Sequence, residues 1–304
     1  MIEGCEMITY VRTNIFESNA QVLVNTVNTV GIMGKGLAKE FKRLYPDMFA
    51  SYQRFCENKE LTVGKLQIFR TSNKIILNFP TKKHWRNASE IEYIESGLKK
   101  FVDNYEAQGI TSIAFPMLGC GNGGLDWNVV KPIMEKYLKR LPIEVFIHIA
   151  KKDELKPEHI NQSEIDTWLR SEPQYLSSIE FFAHLKQKFS GLLNSIHKLD
   201  MNIEITIESI DEEEAFCLQR AETRLCMTES TLANIWRTLK NDGVLRKEML
   251  SSELAEYSNV VMAFLSELDY ITLTQIGDDN AEIAVRILAF KQPIDTQEKE
   301  LFVA

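Results

Sequence analysis

Two glycine-rich stretches, each lying between an apolar β-type run and a helical run, constrain this chain more than any other feature. The first is Val24-Asn25-Thr26-Val27-Asn28-Thr29-Val30-Gly31-Ile32-Met33-Gly34-Lys35-Gly36-Leu37-Ala38. The second is Phe115-Pro116-Met117-Leu118-Gly119-Cys120-Gly121-Asn122-Gly123-Gly124-Leu125. A chain that repeats strand, loop and crossover helix builds a parallel sheet covered on both faces, with its loops at the carboxyl ends of the strands. The flanking runs agree. ITYV from Ile8 and QVLVNTV from Gln21 are β-rich, and KLQIF from Lys65 and KIILNF from Lys74 read as paired strands. GLAKEFKRLYPDMFASYQRFCEN from Gly36 is helical with an interruption near Pro46. SEIEYIESGLKKFVDNYEAQG reads as an amphipathic helix capped by Ser89, with Glu92 three residues on and Gly109 at its end. A strand (TSIAFPML), a helix (WNVVKPIMEKYLKRL) and a last buried strand (IEVFIHI) follow. The expectation is a three-layer α/β domain with a mostly parallel sheet over residues 7–150.

The rest of the chain reads differently. Residues 151–175 are polar and interrupted by proline, as a linker is. Residues 176–304 are expected to form a smaller α+β domain. It opens with a helix over IEFFAHLKQKFSGLLNSIHKL and continues with an alternating strand, NIEITIESI. Three helical stretches follow from Thr228, then two β-runs around Gly277-Asp278-Asp279-Asn280, an order resembling a winged helix. Charge separates the two parts. Residues 1–150 carry 19 Lys and Arg against 15 Asp and Glu, whereas residues 151–304 carry 16 against 28. The first part tolerates a polyanion and the second repels one. The stretch SSELAEYSNVVMAFLSELDY, where a winged helix reads DNA, holds several carboxylates and no Lys or Arg, which argues against direct DNA binding there.

Several classes of protein are disfavoured. No apolar run reaches the roughly 18 residues of a membrane span, so no membrane partner is expected. The opening MIEGCEMITY lacks a basic start before an apolar stretch, which disfavours a secretory signal. Cys5, Cys56, Cys120, Cys217 and Cys226 are scattered and odd in number, without metal-ligand spacing. They read as reduced thiols of a cytoplasmic protein that uses neither metal nor cofactor.

Glycine lets backbone N–H groups approach a phosphate without an intervening Cβ, and a helix starting after each loop adds the positive end of its dipole. Two such loops suit a diphosphate held from both sides. Gly119, Gly121 and Gly124 also match the dinucleotide-binding GxGxxG pattern. The acidic residue expected to end the next strand is absent there, since Glu144 begins its strand instead.

Asn25-x-x-Asn28 followed by Gly-Ile-Met-Gly-Lys-Gly-Leu-Ala resembles the first ribose and diphosphate loop of macrodomains, and Gly119 to Gly124 resembles their second. Phe79-Pro80-Thr81-Lys82-Lys83-His84-Trp85-Arg86 narrows the resemblance to the branch holding the terminal ADP-ribose glycohydrolases, and most closely to its DarG-like members. The resemblance implies a catalytic lysine at Lys82. It implies an ADP-ribose site of Asn14, Ile15, Asn25, Asn28, Gly31, Met33, Gly34, Lys35, Gly36, Thr81, Leu118, Gly119, Cys120, Gly121, Asn122 and Gly123. It further implies removal of ADP-ribose from a base in single-stranded DNA, thymine foremost, and a C-terminal domain that binds a DarT-type DNA ADP-ribosyltransferase toxin. Lysine suits the chemistry in two ways. A neutral amine opens the ribose to an imine-type intermediate, or an ammonium polarises the leaving group. Lys83, His84, Trp85 and Arg86 are candidates for stacking on and pairing with the DNA, although Trp85 in the core and Arg86 in an ion pair explain them equally.

Departures from the family pattern keep two other functions open. Asn14 stands where many macrodomains carry an adenine-binding aspartate. Gly123 stands where human-type relatives carry an aspartate that assists the lysine, and Asp126 nearby reads as a helix cap. A non-catalytic ADP-ribose reader, or a glycohydrolase for ADP-ribosylated protein carboxylates, therefore stands beside the DNA reading. Cys120 reads as a packing residue. The acidic run Asp211-Glu212-Glu213-Glu214, with Asp278 and Asp279, suits either a solvated face or a DNA mimic that fills a toxin's basic cleft.

Overall fold

The computed structural model describes residues 8–149, 167, 169, 171–190, 195–276, 282–288 and 302–303. The chain divides into two compact units, residues 1–166 with 296–304, and residues 167–295. The expected linker lies mostly outside the described residues, as does the Gly277–Asn280 turn.

The first unit is built on β1 (Ile8–Val11), β2 (Val22–Val27), β3 (Gln67–Arg70), β4 (Ile75–Pro80), β5 (Ser112–Pro116) and β6 (Glu144–His148). Their order across the sheet is β1-β6-β5-β2-β4-β3, and the strand Phe302–Val303 pairs with β3 at the far edge. The first five of these are mutually parallel, while β3 runs antiparallel to β4. The continuous apolar runs seen in the sequence follow from this: β2 and β4 are buried almost throughout. Helices α1 (Gly36–Leu44), α2 (Pro46–Glu57), α3 (Ile91–Asn104) and α4 (Trp127–Leu138) complete the layers. Pro46 is the first residue of α2, where a missing N–H costs nothing, and it separates α1 from α2 as the sequence predicts.

Helix α3 departs from its expected limits. It begins at Ile91 with Glu90 at its N-cap and ends at Asn104, five residues before Gly109. Ser89 is not its cap. The Ser89 hydroxyl is instead buried beneath the second glycine loop and has no hydrogen-bond partner. Gly97 inside α3 costs the helix about 1 kcal/mol against alanine. Its place is explained by β4: a Cβ there would stand 2.2 Å from the Phe79 ring. The close approach seats the strand that leads into Thr81 and Lys82.

The second unit contains α5 (Ser178–Phe189), a four-stranded antiparallel meander and a three-stranded sheet. The meander runs β7 (Ser195–Lys198), β8 (Met201–Ile210), β9 (Glu213–Arg220) and β10 (Thr223–Thr228). The expected opening helix therefore stops at Phe189, and Ser195–Lys198 pairs with β8 as a strand. Its apolar spacing fits either period over so short a run. Helices α6 (Glu229–Asp242), α7 (Ser252–Glu256) and α8 (Ser258–Leu265) follow, with β11 (Val244–Leu245) after α6 and the pair β12 (Ile271–Ile276) and β13 (Glu282–Ile287) at the end. Gly243 closes α6 in the left-handed conformation.

The reading of all cysteines as free thiols is corrected. Cys217 and Cys226 lie directly opposite each other on β9 and β10 and form a disulfide. Register, which a one-dimensional spacing of nine does not reveal, brings them together. Cys56 and Cys120 are free and buried. Among the described residues no helix is long and apolar enough to cross a membrane.

Candidate functional site

A cleft of about 890 Å³ crosses the carboxyl ends of β1, β6, β5, β2 and β4. That volume suits a small-molecule ligand. From β1 to β4 the sheet takes four strand spacings, or about 19 Å. Arg12, Thr13, Asn14 and Ile15 line one end, and Thr81 and Lys82 line the other. Gly34, Lys35 and Gly36 of the first loop, and Gly119, Gly121, Asn122 and Gly123 of the second, lie between.

The first loop is organised by Asn28, which is buried and lines the cleft. Its Nδ2 donates to the Ile32 carbonyl at 2.7 Å. Its Oδ1 accepts from the Val30 and Ile32 amides and from the Tyr52 hydroxyl. Burial pushes the Tyr52 phenol well above its ordinary pKa, so it stays a donor. Gln53 Nε2 donates to the Gly31 carbonyl at 3.0 Å, tying the loop to α2. The loop ends where Gly36, with φ +56°, opens α1, whose first-turn residues Gly36, Leu37 and Ala38 line the cleft.

The second loop is closed by its own backbone. The Cys120 amide donates to Met117, Gly124 to Gly121, and Leu125 to Gly119. Asp126 then caps α4 by accepting from the Asn128 amide at 2.9 Å. At Gly123 a Cβ would stand 2.4 Å from the Gly119 carbonyl oxygen and 2.2 Å from Ser89 Oγ. An aspartate has no room there.

Lys82 follows β4 and is laced to the first loop on either side. The Thr81 amide donates to the Val27 carbonyl, and Thr29 donates to the Lys83 carbonyl through both its amide and its hydroxyl. The lysine is buried on the cleft wall, and its Nζ donates to the carbonyls of Asn122 at 2.7 Å and Trp85 at 3.4 Å.

Five of the expected binding residues do not line the cleft. Asn25 is fully buried and joins Asn78, Gln67 and Ser51 in a chain of hydrogen bonds behind β2. The alternation of strand side chains sends its neighbour Thr26 to the cleft instead. Met33 packs against Asn25, Gly31 sits beside α2, and Leu118 belongs to the core. Cys120 is buried, and burial pushes its thiol up to about 12, which leaves no thiolate for attack.

The segment after Lys82 packs largely against itself. Trp85 is 1% exposed, so it cannot offer a face to a DNA base. The Arg86 guanidinium covers the Trp85 ring at 4.0 Å, and His84 Nδ1 accepts from the Arg86 amide. Lys83 is exposed, over the Tyr93 ring. None of the four lines the cleft.

The sequence reading missed Arg12, Thr13, His148 and Ile149. Val11 and His148 are paired partners at the ends of β1 and β6, far apart in sequence. His148 Nδ1 lies 2.9 Å from the Thr13 carbonyl, which only accepts, so Nδ1 carries the proton. Their one signal was position at a strand's carboxyl end. Among the described residues no group of His, Cys, Asp or Glu is placed to hold a metal ion.

The Macro domain family model matches residues 24–134. A DNA ADP-ribosyl glycohydrolase of Thermus aquaticus is 44% identical over 147 residues, 47% of this chain and 41% of that protein. The macrodomain of Mycobacterium tuberculosis DarG is 42% identical, covering 48% of this chain and 100% of that one, with a TM-score of 0.47. Thermosipho africanus DarTG in complex with ADP-ribose is 41% identical, covering 52% of this chain and 45% of that one, with a TM-score of 0.48. The chain thus spans less than half the length of the DNA ADP-ribosyl glycohydrolases it matches. Residues 24–134 are therefore those of a Macro domain, within a stretch 40–45% identical to DNA ADP-ribosyl glycohydrolases.

Proposed function

We propose that the first unit binds ADP-ribose in this cleft and hydrolyses its N-glycosidic bond to a base in single-stranded DNA, thymine foremost. One observation carries the reading: a buried lysine stands at the end of a cleft whose middle is two opposed glycine loops. The loops supply backbone N–H groups for the diphosphate, which leaves the two ends for the two sugars and what they carry. Lys82 acts at the end beyond the diphosphate, on the anomeric carbon as an amine or on the leaving base as an ammonium. The names of relatives in Thermus aquaticus and Thermosipho africanus support DNA as substrate and ADP-ribose as ligand. Gly123 weighs against the protein-carboxylate reading, because the loop has no space for an assisting acid.

The test is a single-turnover assay on an oligonucleotide bearing ADP-ribose on thymine, beside a protein bearing it on carboxylates. Release from the oligonucleotide alone is expected. Lys82→Ala is expected to abolish release while ADP-ribose affinity by calorimetry stays within about threefold, since the loops make most ground-state contacts. A variant that cleaves at the wild-type rate removes Lys82 from the chemistry.

For the second unit the proposed partner is a DarT-type toxin, bound through acidic surface that imitates DNA. Charge supports this, and the fold divides the acidic run. Glu214 pairs with Lys186 at 2.7 Å and Glu213 accepts from the Ser230 amide, whereas Asp211 and Glu212 form the exposed β8–β9 turn. The full chain is expected to capture such a toxin, to lose it as salt rises, and to compete with single-stranded DNA. Capture without competition rejects mimicry.

A further inference from the structure

We propose that Asn122 is the positioning residue of Lys82, coupling phosphate contact in the first loop to the lysine. The inference rests on the lysine-based hydrolysis proposed above. In this chain the second loop offers Lys82 no carboxylate at Gly123; what it offers is the Asn122 carbonyl, 2.7 Å from Nζ. That carbonyl is aimed by its surroundings. The Gly123 carbonyl is held by the Ser89 amide at 2.9 Å, the Gly121 carbonyl by the Gly124 amide at 3.1 Å, and Gly123 itself is wedged between Ser89 and Gly119. These bonds hold the peptides on either side and leave the peptide between Asn122 and Gly123 to be steadied by Lys82 and by the Asn122 side chain.

The Asn122 side chain meets the other loop. Its Nδ2 lies 2.6 Å from where a Cβ on Gly36 would stand, at the first residue of α1. A phosphate seated at the start of α1 sits beside this amide. One residue therefore touches the phosphate end of the first loop with its side chain and the lysine with its backbone. Gly36 is doubly constrained as a result, by its φ of +56° and by the amide that fills its open side. A carbonyl accepts hydrogen bonds but takes no proton at neutral pH. Asn122 thus orients Nζ without serving as the acid or base, and that distinguishes it from an assisting aspartate.

Asn122→Ala keeps the carbonyl but removes the contact with Gly36. The expected result, on the ADP-ribosylated oligonucleotide, is a fall in kcat of about tenfold, with KM and calorimetric ADP-ribose affinity within about threefold of wild type. Gly36→Ala drives a methyl against the amide and lowers kcat as well. Combining it with Asn122→Ala relieves that clash, so the double variant is expected to turn over faster than Gly36→Ala alone. Thermal melts confirm folding of each. The proposal is overturned if Asn122→Ala keeps wild-type kcat, if its kcat and affinity fall by the same factor, or if the two losses simply multiply. Lys82→Ala in parallel separates the readings. Hydrolysis without Lys82 sinks the lysine chemistry, whereas an inactive Lys82→Ala beside a fast Asn122→Ala sinks the positioning alone.

Discussion

The two glycine loops in the middle of the cleft are held in shape by opposite means. The first is shaped by a side-chain hub: Asn28 satisfies the Val30 and Ile32 amides and the Ile32 carbonyl, and Tyr52 and Gln53 brace it from α2. The second is closed by its own backbone bonds and by the tight fit of Gly123 against Ser89 and the Gly119 carbonyl. A hub fails when something is removed. A tightly wedged turn fails when something is added. The difference explains why Asn28 lines the cleft yet spends its polar atoms inside its own loop, and why the second loop carries four glycines in six residues.

Four substitutions test that contrast. The largest effect is expected from addition to the second loop. Gly123→Asp should lower stability by about 3 kcal/mol, the upper range for overpacking, and abolish detectable ADP-ribose binding by calorimetry. A well-folded Gly123→Asp that binds normally would show the wedge to be soft. Removal from the first loop comes next. Asn28→Ala strands the Val30 and Ile32 amides and the Ile32 carbonyl, while the Tyr52 hydroxyl keeps the backbone carbonyl of residue 28; a loss of about 2–3 kcal/mol in denaturant unfolding is expected, with weaker ADP-ribose binding. Gly121→Val intrudes on the phosphate space of the second loop, and at least about tenfold weaker binding is expected, or roughly 1.4 kcal/mol. Unchanged affinity in a folded variant takes Gly121 off the ligand. The smallest effect belongs to Asp126→Ala, which removes the α4 cap seen at the Asn128 amide. Unfolding should cost about 1 kcal/mol less, and hydrolysis should continue at the wild-type rate. A collapse of kcat would make Asp126 an acid in the reaction and not a cap.

The α/β order and the two loops were legible in the sequence because each rests on local pattern, whereas Lys82 was singled out only by the resemblance of its motif to a family. Strand runs are apolar when buried on both faces, and glycine marks places where backbone must come close. Asp126 as a cap was legible for the same reason. The cleft's far end was not. His148 meets Thr13 only because β1 and β6 are paired neighbours in a sheet whose order departs from chain order. Trp85 was ambiguous because an aromatic beside basic residues looks the same in sequence whether it faces solvent or core, and packing against neighbours chose the core.

The second unit divides in the same way. Its charge, and the helical periods from Thr228 onward, are properties of the sequence alone. The strand at Ser195–Lys198, the pairing of Cys217 with Cys226 and the engagement of Glu213 and Glu214 are not. Each depends on which residue lies opposite across a register or a packed face, and register is set by long-range pairing. By itself the sequence determined which residue types line the loops and where the carboxylates accumulate, because those are composition and local spacing. Tertiary structure alone decided that Asn25 belongs to the core, that Ser89 lies beneath the second loop, and that Asn122 reaches both Gly36 and Lys82. These contacts join segments far apart in the chain, and no local period encodes them.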